Sequence, residues 1–274
     1  MNVVGSFYAT LRIILCLTLG IMLTAAIPVF AVNETIIAAR KLMDDGITLQ
    51  NKQTLIKARG QFEQVYIVKN DVQALYYLTY SECWLCLFGV ARNGDPSLVD
   101  VYLDKAIEHA ENLVARMPYQ AEPKVILATL YGIRLKSNAL NLIIVGPRIE
   151  SLIDEALVLE PNNPRVLYVQ GNALFYKPAI FGGGVRKALD VWKRAQVLYE
   201  KELQQPAFQS SMKPNWGYLE TLAALGQCYE AVSEWENART TYKRGLALKP
   251  NYKWIQYELL PNLEQKYPER LSEK

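Results

Sequence analysis

Residues 218–250 read YLETLAALGQCYEAVSEWENARTTYKRGLALKP, and the order of large and small side chains in this stretch decides the architecture. Leu222, Leu225, Gly226 and Tyr229 recur at i, i+3, i+4 and i+7, which is one face of a helix. After the polar corner SEWEN, residues 233–237, a second helical face is formed by Ala238, Tyr242 and Gly245. Helices that cross closely need compact residues at the crossing and bulky ones beside it. Gly226 and Ala238 are suited to the first part, Tyr229 and Tyr242 to the second. Pro250 ends the second helix, because proline lacks the amide that would continue it. The stretch is an antiparallel helical hairpin.

The same internal spacings return near the other end of the chain, where Leu42, Gly46, Leu49, Ala58 and Phe62 mark a unit over residues 39–72, with Asn70 in place of the closing proline. The small, aromatic and proline positions of these two units resemble the tetratricopeptide repeat, which has a period of about 34 residues. Between them the echoes are stretched, over 73–118, 123–161, where the second helix is expected to start after Gly146 and Pro147, and 164–203, and the last regular unit covers 219–252. The insertion KPAIFGGG, residues 177–184, pushes Ala188 five residues beyond the usual spacing. A long connection, QQPAFQSSMKPN (204–215), precedes the last unit, and residues 253–274 read as a terminal cap that grows polar. The resemblance implies an all-α, right-handed superhelix of about five hairpins with a C-terminal capping helix. Residues 32–274 are expected to form one domain, because a lone hairpin cannot cover its own apolar face.

The chain has 274 residues, 51% of them hydrophobic and 21% charged, a composition that buries a core and excludes disorder. Its net charge of +3 is spread out, with no basic run dense enough for a phosphate backbone, so no nucleic-acid partner is expected. Residues 1–31 differ in kind: Arg12 is followed by an apolar run that ends with Val29 and Ala31 at the spacing a signal peptidase reads. This predicts a secretory leader cleaved after Ala31 and a mature protein in the periplasm or cell envelope of a bacterium. An uncleaved anchor over 13–30 is the rival, weakened by Thr18, Gly20, Thr24 and Pro28. A lipoprotein signal around Cys16 is disfavoured by the bulk of Leu15. Only Cys83, Cys86 and Cys228 lie beyond the leader, too few for a disulfide framework, so the helical core must supply the stability.

Candidates for chemistry are sparse. His109 is the only histidine and stands on the charged stretch LDKAIEHAEN, residues 103–112, where a solvated surface position is expected and a catalytic triad is not. Cys83 and Cys86 in CWLC have the spacing of a redox or zinc half-site, but lie in a helical pattern that predicts buried, apolar cysteines. Gly182, Gly183, Gly184 and Arg186 form a glycine turn at a helix start, without the Lys-Ser/Thr ending of a phosphate loop. No catalytic residue, metal or cofactor is expected.

In tetratricopeptide arrays the first helices of the hairpins line a concave groove. The resemblance therefore implies that Arg134, Asn138, Arg165, Tyr168, Asn172 and Tyr176 face it, with Arg134 and Asn138, four residues apart, similar to half of a carboxylate clamp. Tyr76, Tyr77, Tyr80 and Phe175 add aromatic surface nearby. The implied function is an exported, non-enzymatic scaffold that binds a protein or peptide in the groove. The alternative is a small-ligand-binding accessory of an envelope transport system, with an enclosed pocket near the glycine turn.

Overall fold

The computed structural model describes residues 29–137, 142–205 and 213–271. The expected leader therefore lies outside the described residues apart from its last three, and Asn138 lies outside them too. Among the described residues, ten helices pair into five hairpins: α1 (Val29–Thr48) with α2 (Lys52–Lys69), α3 (Val72–Val90) with α4 (Ser97–Arg116), α5 (Ala121–Ser137) with α6 (Leu142–Leu159), α7 (Pro164–Tyr176) with α8 (Val185–Leu203), and α9 (Tyr218–Ala231) with α10 (Trp235–Leu248). A π-helical turn, Trp254–Leu259, then runs into α11 (Leu260–Lys266) and the short α12 (Pro268–Leu271) as the cap. No strand occurs among the described residues, and no helix there is long and apolar enough to cross a membrane. The all-α hairpin array is as expected.

The compact positions act as the sequence requires. A Cβ on Gly226 would stand 2.1 Å from the Tyr242 ring, one on Gly171 2.2 Å from the Trp192 indole, and one on Gly46 2.9 Å from the Leu55 amide nitrogen. In these three hairpins the first helix presents bare backbone to the second. Gly245 plays the same part towards the cap, with Ile255 seated 2.6 Å from where its Cβ would be. Local capping sets the starts: Asn51, Asp71 and Asn163 accept from backbone amides at the beginnings of α2, α3 and α7.

Two boundaries differ from the sequence reading. The first hairpin begins at Val29 rather than near Ala39, because Ile36, Ala39 and Met43 already pack on its core. In the third hairpin, α6 runs through Gly146 and Pro147 instead of starting after them. Pro147 is in the second turn, where it removes a single backbone bond, and the apolar face carrying Leu152, Ile153 and Ala156 holds the helix to its partner.

The row is also pinned by charge. Glu82 of α3, with its side chain 0% exposed, accepts from Arg59 Nε of α2 at 3.0 Å and stands 2.8 Å from Nδ1 of His109 on α4. Arg59 makes a second, bidentate pair with Glu63 at 2.6 and 2.7 Å. His109 is thus no solvated surface residue: one face of its helix turns inward, and a buried carboxylate fixes the ring. Cys83 and Cys86 are buried free thiols, and burial pushes Cys86 up to about 12, so they pack rather than react. Cys228 is likewise buried, with its sulfur 3.1 Å from the Val185 carbonyl.

Candidate functional site

The first helices of the first four hairpins touch one another in chain order, α1 on α3, α3 on α5 and α5 on α7, and so form one continuous inner side. This side is tyrosine-rich: Tyr76, Tyr77 and Tyr80 come from α3 and Tyr168 from α7, and all four phenols are raised by burial. Among them lie acids that the sequence pattern did not single out. Glu122 at the start of α5 accepts from the Tyr76 hydroxyl at 2.5 Å and from Asn163 at 3.2 Å. Glu220 of α9 accepts from Tyr252 at 3.2 Å. Burial raises both carboxyls, and that of Asp44 on α1 to about 6. Lys249, beyond α10, acts on Asp44, and Asp44 acts on Glu220, so the first and last hairpins share one electrostatic neighbourhood.

A non-helical strap, residues 213–217, crosses this inner side just before α9. Its Trp216 ring stacks on Tyr80 at 4.8 Å, and its indole N–H donates to the Tyr76 hydroxyl at 2.7 Å. Arg40 of α1 donates to the Lys213 carbonyl at 3.2 Å and to Asn215 Oδ1 at 3.0 Å, while also lying over the Tyr77 ring. Arg165 of α7 donates to the Pro214 carbonyl at 2.6 Å. Three first helices therefore grip one short stretch of chain, two of them through arginine on backbone carbonyls and one through an aromatic shelf. Lys213 and Asn215 remain exposed, and Trp216 is half-buried.

The expected groove residues are not brought together as a set. Arg165 is 3% exposed and makes a bidentate pair with Glu202 of α8 at 3.1 and 3.0 Å, with Glu122 3.6 Å from its Nε. It braces the inner side from within, so its expected place on an open groove is corrected. Arg134 pairs with Asp104 of α4, the second helix of the preceding hairpin, and Tyr131 one turn earlier donates to Glu111 on that same helix. That orientation takes Arg134 away from the strap and corrects its place in a clamp. Tyr168 and Asn172 sit together on α7. Tyr176, at the far end of that helix, is 79% exposed.

The glycine turn lies at the outer corner between α7 and α8. Ile180 and Phe181 protrude into solvent there, and Gly182 and Gly184 take positive φ of 89° and 132°. Gly183 is needed for a different reason, since its Cβ would meet the Lys177 carbonyl oxygen at 1.9 Å. Arg186 is exposed at the start of α8, and Lys187 closes the turn on the Gly182 carbonyl at 2.9 Å. Among the described residues, a depression of about 400 Å³ lies elsewhere, lined by Val72 and residues 116–120. No group of His, Cys, Asp or Glu side chains that could hold a metal occurs among the described residues.

Solved structures of other proteins share this array. The chain has a tetratricopeptide-like fold. It is similar to a thermophilic TPR protein, TTC0263 of Thermus thermophilus, with a TM-score of 0.54, 19% identity, and 85% of this chain and 98% of that one covered. It is also similar to the HusA haemophore of Porphyromonas gingivalis, with a TM-score of 0.57, 24% identity, and 73% and 92% covered. The Cut9–Hcn1 structure matches at a TM-score of 0.54 and 15% identity over 86% of this chain and 40% of that one. At these identities the likeness is one of fold. No protein-family model matches the sequence, and no curated protein does.

The strap and its grip were missed by sequence reasoning, although Tyr76 and Tyr80 were singled out as aromatic surface. The available signal was the connection itself: two or three residues suffice at several other corners of the chain, whereas residues 204–217 form a long link that ends with a proline and a tryptophan. A tryptophan in a polar connector needs a surface to pack on.

Proposed function

We propose that the protein is a non-catalytic helical-repeat scaffold whose inner side holds a non-helical segment of a protein partner. The observation that carries this reading is that the inner side already holds such a segment, its own residues 213–217, with donors aimed at main-chain carbonyls and a tyrosine shelf for an aromatic side chain. Contacts to carbonyls fix a chain without demanding a particular sequence, and the shelf supplies the selection. Arg40, Tyr76, Tyr80 and Tyr168 carry the role, with Arg165 and Glu122 holding them in position.

The proposal includes export. Cleavage after Ala31 would leave α1 intact from Val32, with Ile36, Ala39 and Met43 all on its packed face, so removal of the leader is compatible with the first hairpin. The alternative, a small-ligand accessory, requires an enclosed space beside residues 182–184, whereas Ile180 is 86% and Phe181 60% exposed there. The name of the haemophore describes that protein's ligand, and the shared fold does not carry it over.

The test replaces Tyr80 with a photocrosslinking phenylalanine analogue, with Tyr176 and Tyr119 as exposed controls on other faces. A partner polypeptide crosslinked through position 80 and through neither control supports the reading. Crosslinks that form only at 119 or 176 remove the inner side from the function.

A further inference from the structure

Resting on the reading of the inner side as a peptide-holding surface, we propose that residues 213–217 are its resident, exchangeable occupant. The site admits in their place a partner segment of the same chemistry: a non-helical peptide with a proline and, two residues later, a tryptophan or other large aromatic side chain.

Several observations converge on exchange rather than permanent burial. The strap is held mostly by its inner edge, since Lys213 and Asn215 are exposed and Trp216 only half-buried. Trp216 packs on the core through contacts that include two any incoming indole reproduces, a stack on Tyr80 and one N–H bond to the Tyr76 hydroxyl. That hydroxyl keeps a partner when the tryptophan leaves, because it also donates to Glu122. The arginine bonds go to the carbonyls of Lys213 and Pro214, which every peptide possesses. Release has a natural pivot at Gly217, whose φ of 101° an L-residue rarely adopts, immediately before α9. Gly217 itself stays anchored, because a Cβ there would lie 2.0 Å from the Tyr199 hydroxyl. Exchange therefore swings residues 213–216 while α9 keeps its place.

A tethered occupant acts at an effective concentration of about millimolar, so a free peptide binds weakly until the strap is loosened. The strap can be loosened without altering the surface that receives the peptide. Trp216→Ala removes the aromatic anchor from the strap alone. Asn215→Ala removes only the side-chain acceptor of Arg40, at an exposed position that does not threaten folding.

The experiment measures fluorescence anisotropy of a labelled peptide, Lys-Pro-Asn-Trp-Gly-Tyr, against the full protein, with thermal melts confirming that each variant is folded. Trp216→Ala is expected to bind at least about ten-fold tighter than the unaltered protein, and Asn215→Ala about three-fold tighter, the value of one solvent-exposed hydrogen bond. Adding Tyr80→Ala to either variant should abolish the gain, and a peptide with Ala for Trp should not bind. Equal, Tyr80-dependent binding to the unaltered and the loosened proteins would overturn exchange while leaving the peptide-holding surface standing. No binding to any folded variant would overturn both. Should Trp216→Ala fail to fold, Asn215→Ala decides alone.

Discussion

Adding one methyl group at Gly226 should destabilise the protein, whereas the same change at Gly60 should stabilise it. Both residues lie inside helices, where alanine is favoured over glycine by about 1 kcal/mol. At Gly60 the new Cβ meets nothing within 4 Å, so this preference acts unopposed and a gain of about 0.5 to 1 kcal/mol is expected. At Gly226 the Cβ would lie 2.1 Å from Tyr242 Cε1 and 2.5 Å from Cζ, while ordinary contact begins at 3.4 Å. The ring cannot swing aside, for it is 0% exposed and its hydroxyl donates to Glu230 at 2.6 Å. The helices must therefore part by about an ångström across a close-packed crossing, which costs about 1 to 3 kcal/mol.

After the helix preference is set against that strain, Gly226→Ala is expected to lose up to about 2 kcal/mol, a fall in Tm of up to about 8 °C for a chain of this size. Gly171→Ala should behave alike, since Trp192, whose indole donates to the Tyr168 carbonyl at 3.0 Å, is equally fixed. Urea denaturation of the three variants side by side gives the comparison. If Gly226→Ala and Gly171→Ala rise in midpoint with Gly60→Ala, the crossing is not close and the account of the hairpins fails.

Other substitutions separate the arginines, the acids and the leader. Arg165→Ala should cost about 3 to 5 kcal/mol by leaving Glu122 buried without its cation, whereas Arg134→Ala, which breaks a surface pair with Asp104, should stay within about 1 kcal/mol in the same denaturation assay. Glu82→Ala should cost about 2 to 4 kcal/mol, because His109 and Arg59 lose a buried acceptor while Arg59 keeps Glu63. Asp44, with a carboxyl raised from 3.8 to about 6, binds its proton more tightly in the folded chain, so its contribution to stability declines as pH rises from 4 to 6. Asp44→Asn should accordingly raise Tm at pH 7.5 and leave it unchanged at pH 4. Under the proposed export, sequencing the amino terminus of the protein purified from expressing bacteria should give Val32, and an intact Met1 would overturn the leader.

The hairpins were legible because close helix crossings impose a strict demand on side-chain size, and glycine beside a fixed aromatic is a rare way to meet it. Gly226 with Tyr242 announces its geometry in a single sequence. Pro147 misled for the opposite reason: a proline reads as a boundary, yet tertiary packing of Leu152, Ile153 and Ala156 outweighs the one bond it removes. His109 misled because its neighbours in the chain are charged, whereas its environment is set by Glu82, twenty-seven residues away on another helix.

The arginines show why a site is harder to read than a fold. Register and a family resemblance say which face of a helix points inward, and both Arg134 and Arg165 were placed on those grounds. Whether an inward-facing arginine is free to meet a partner depends on which acids surround it, and for Arg165 those acids come from α5 and α8, with a carbonyl from the strap before α9. No local pattern contains them. Arg40 is the more telling residue for the same reason. It stands half-buried in the first hairpin, where the sequence offered no motif, and reaches 173 residues along the chain to a carbonyl of the strap. A contact of that span has a large loop-closure cost. It persists because Tyr76, Tyr80 and Arg165 meet the strap at the same moment, and under the proposed function the same contacts would receive a partner segment in its place.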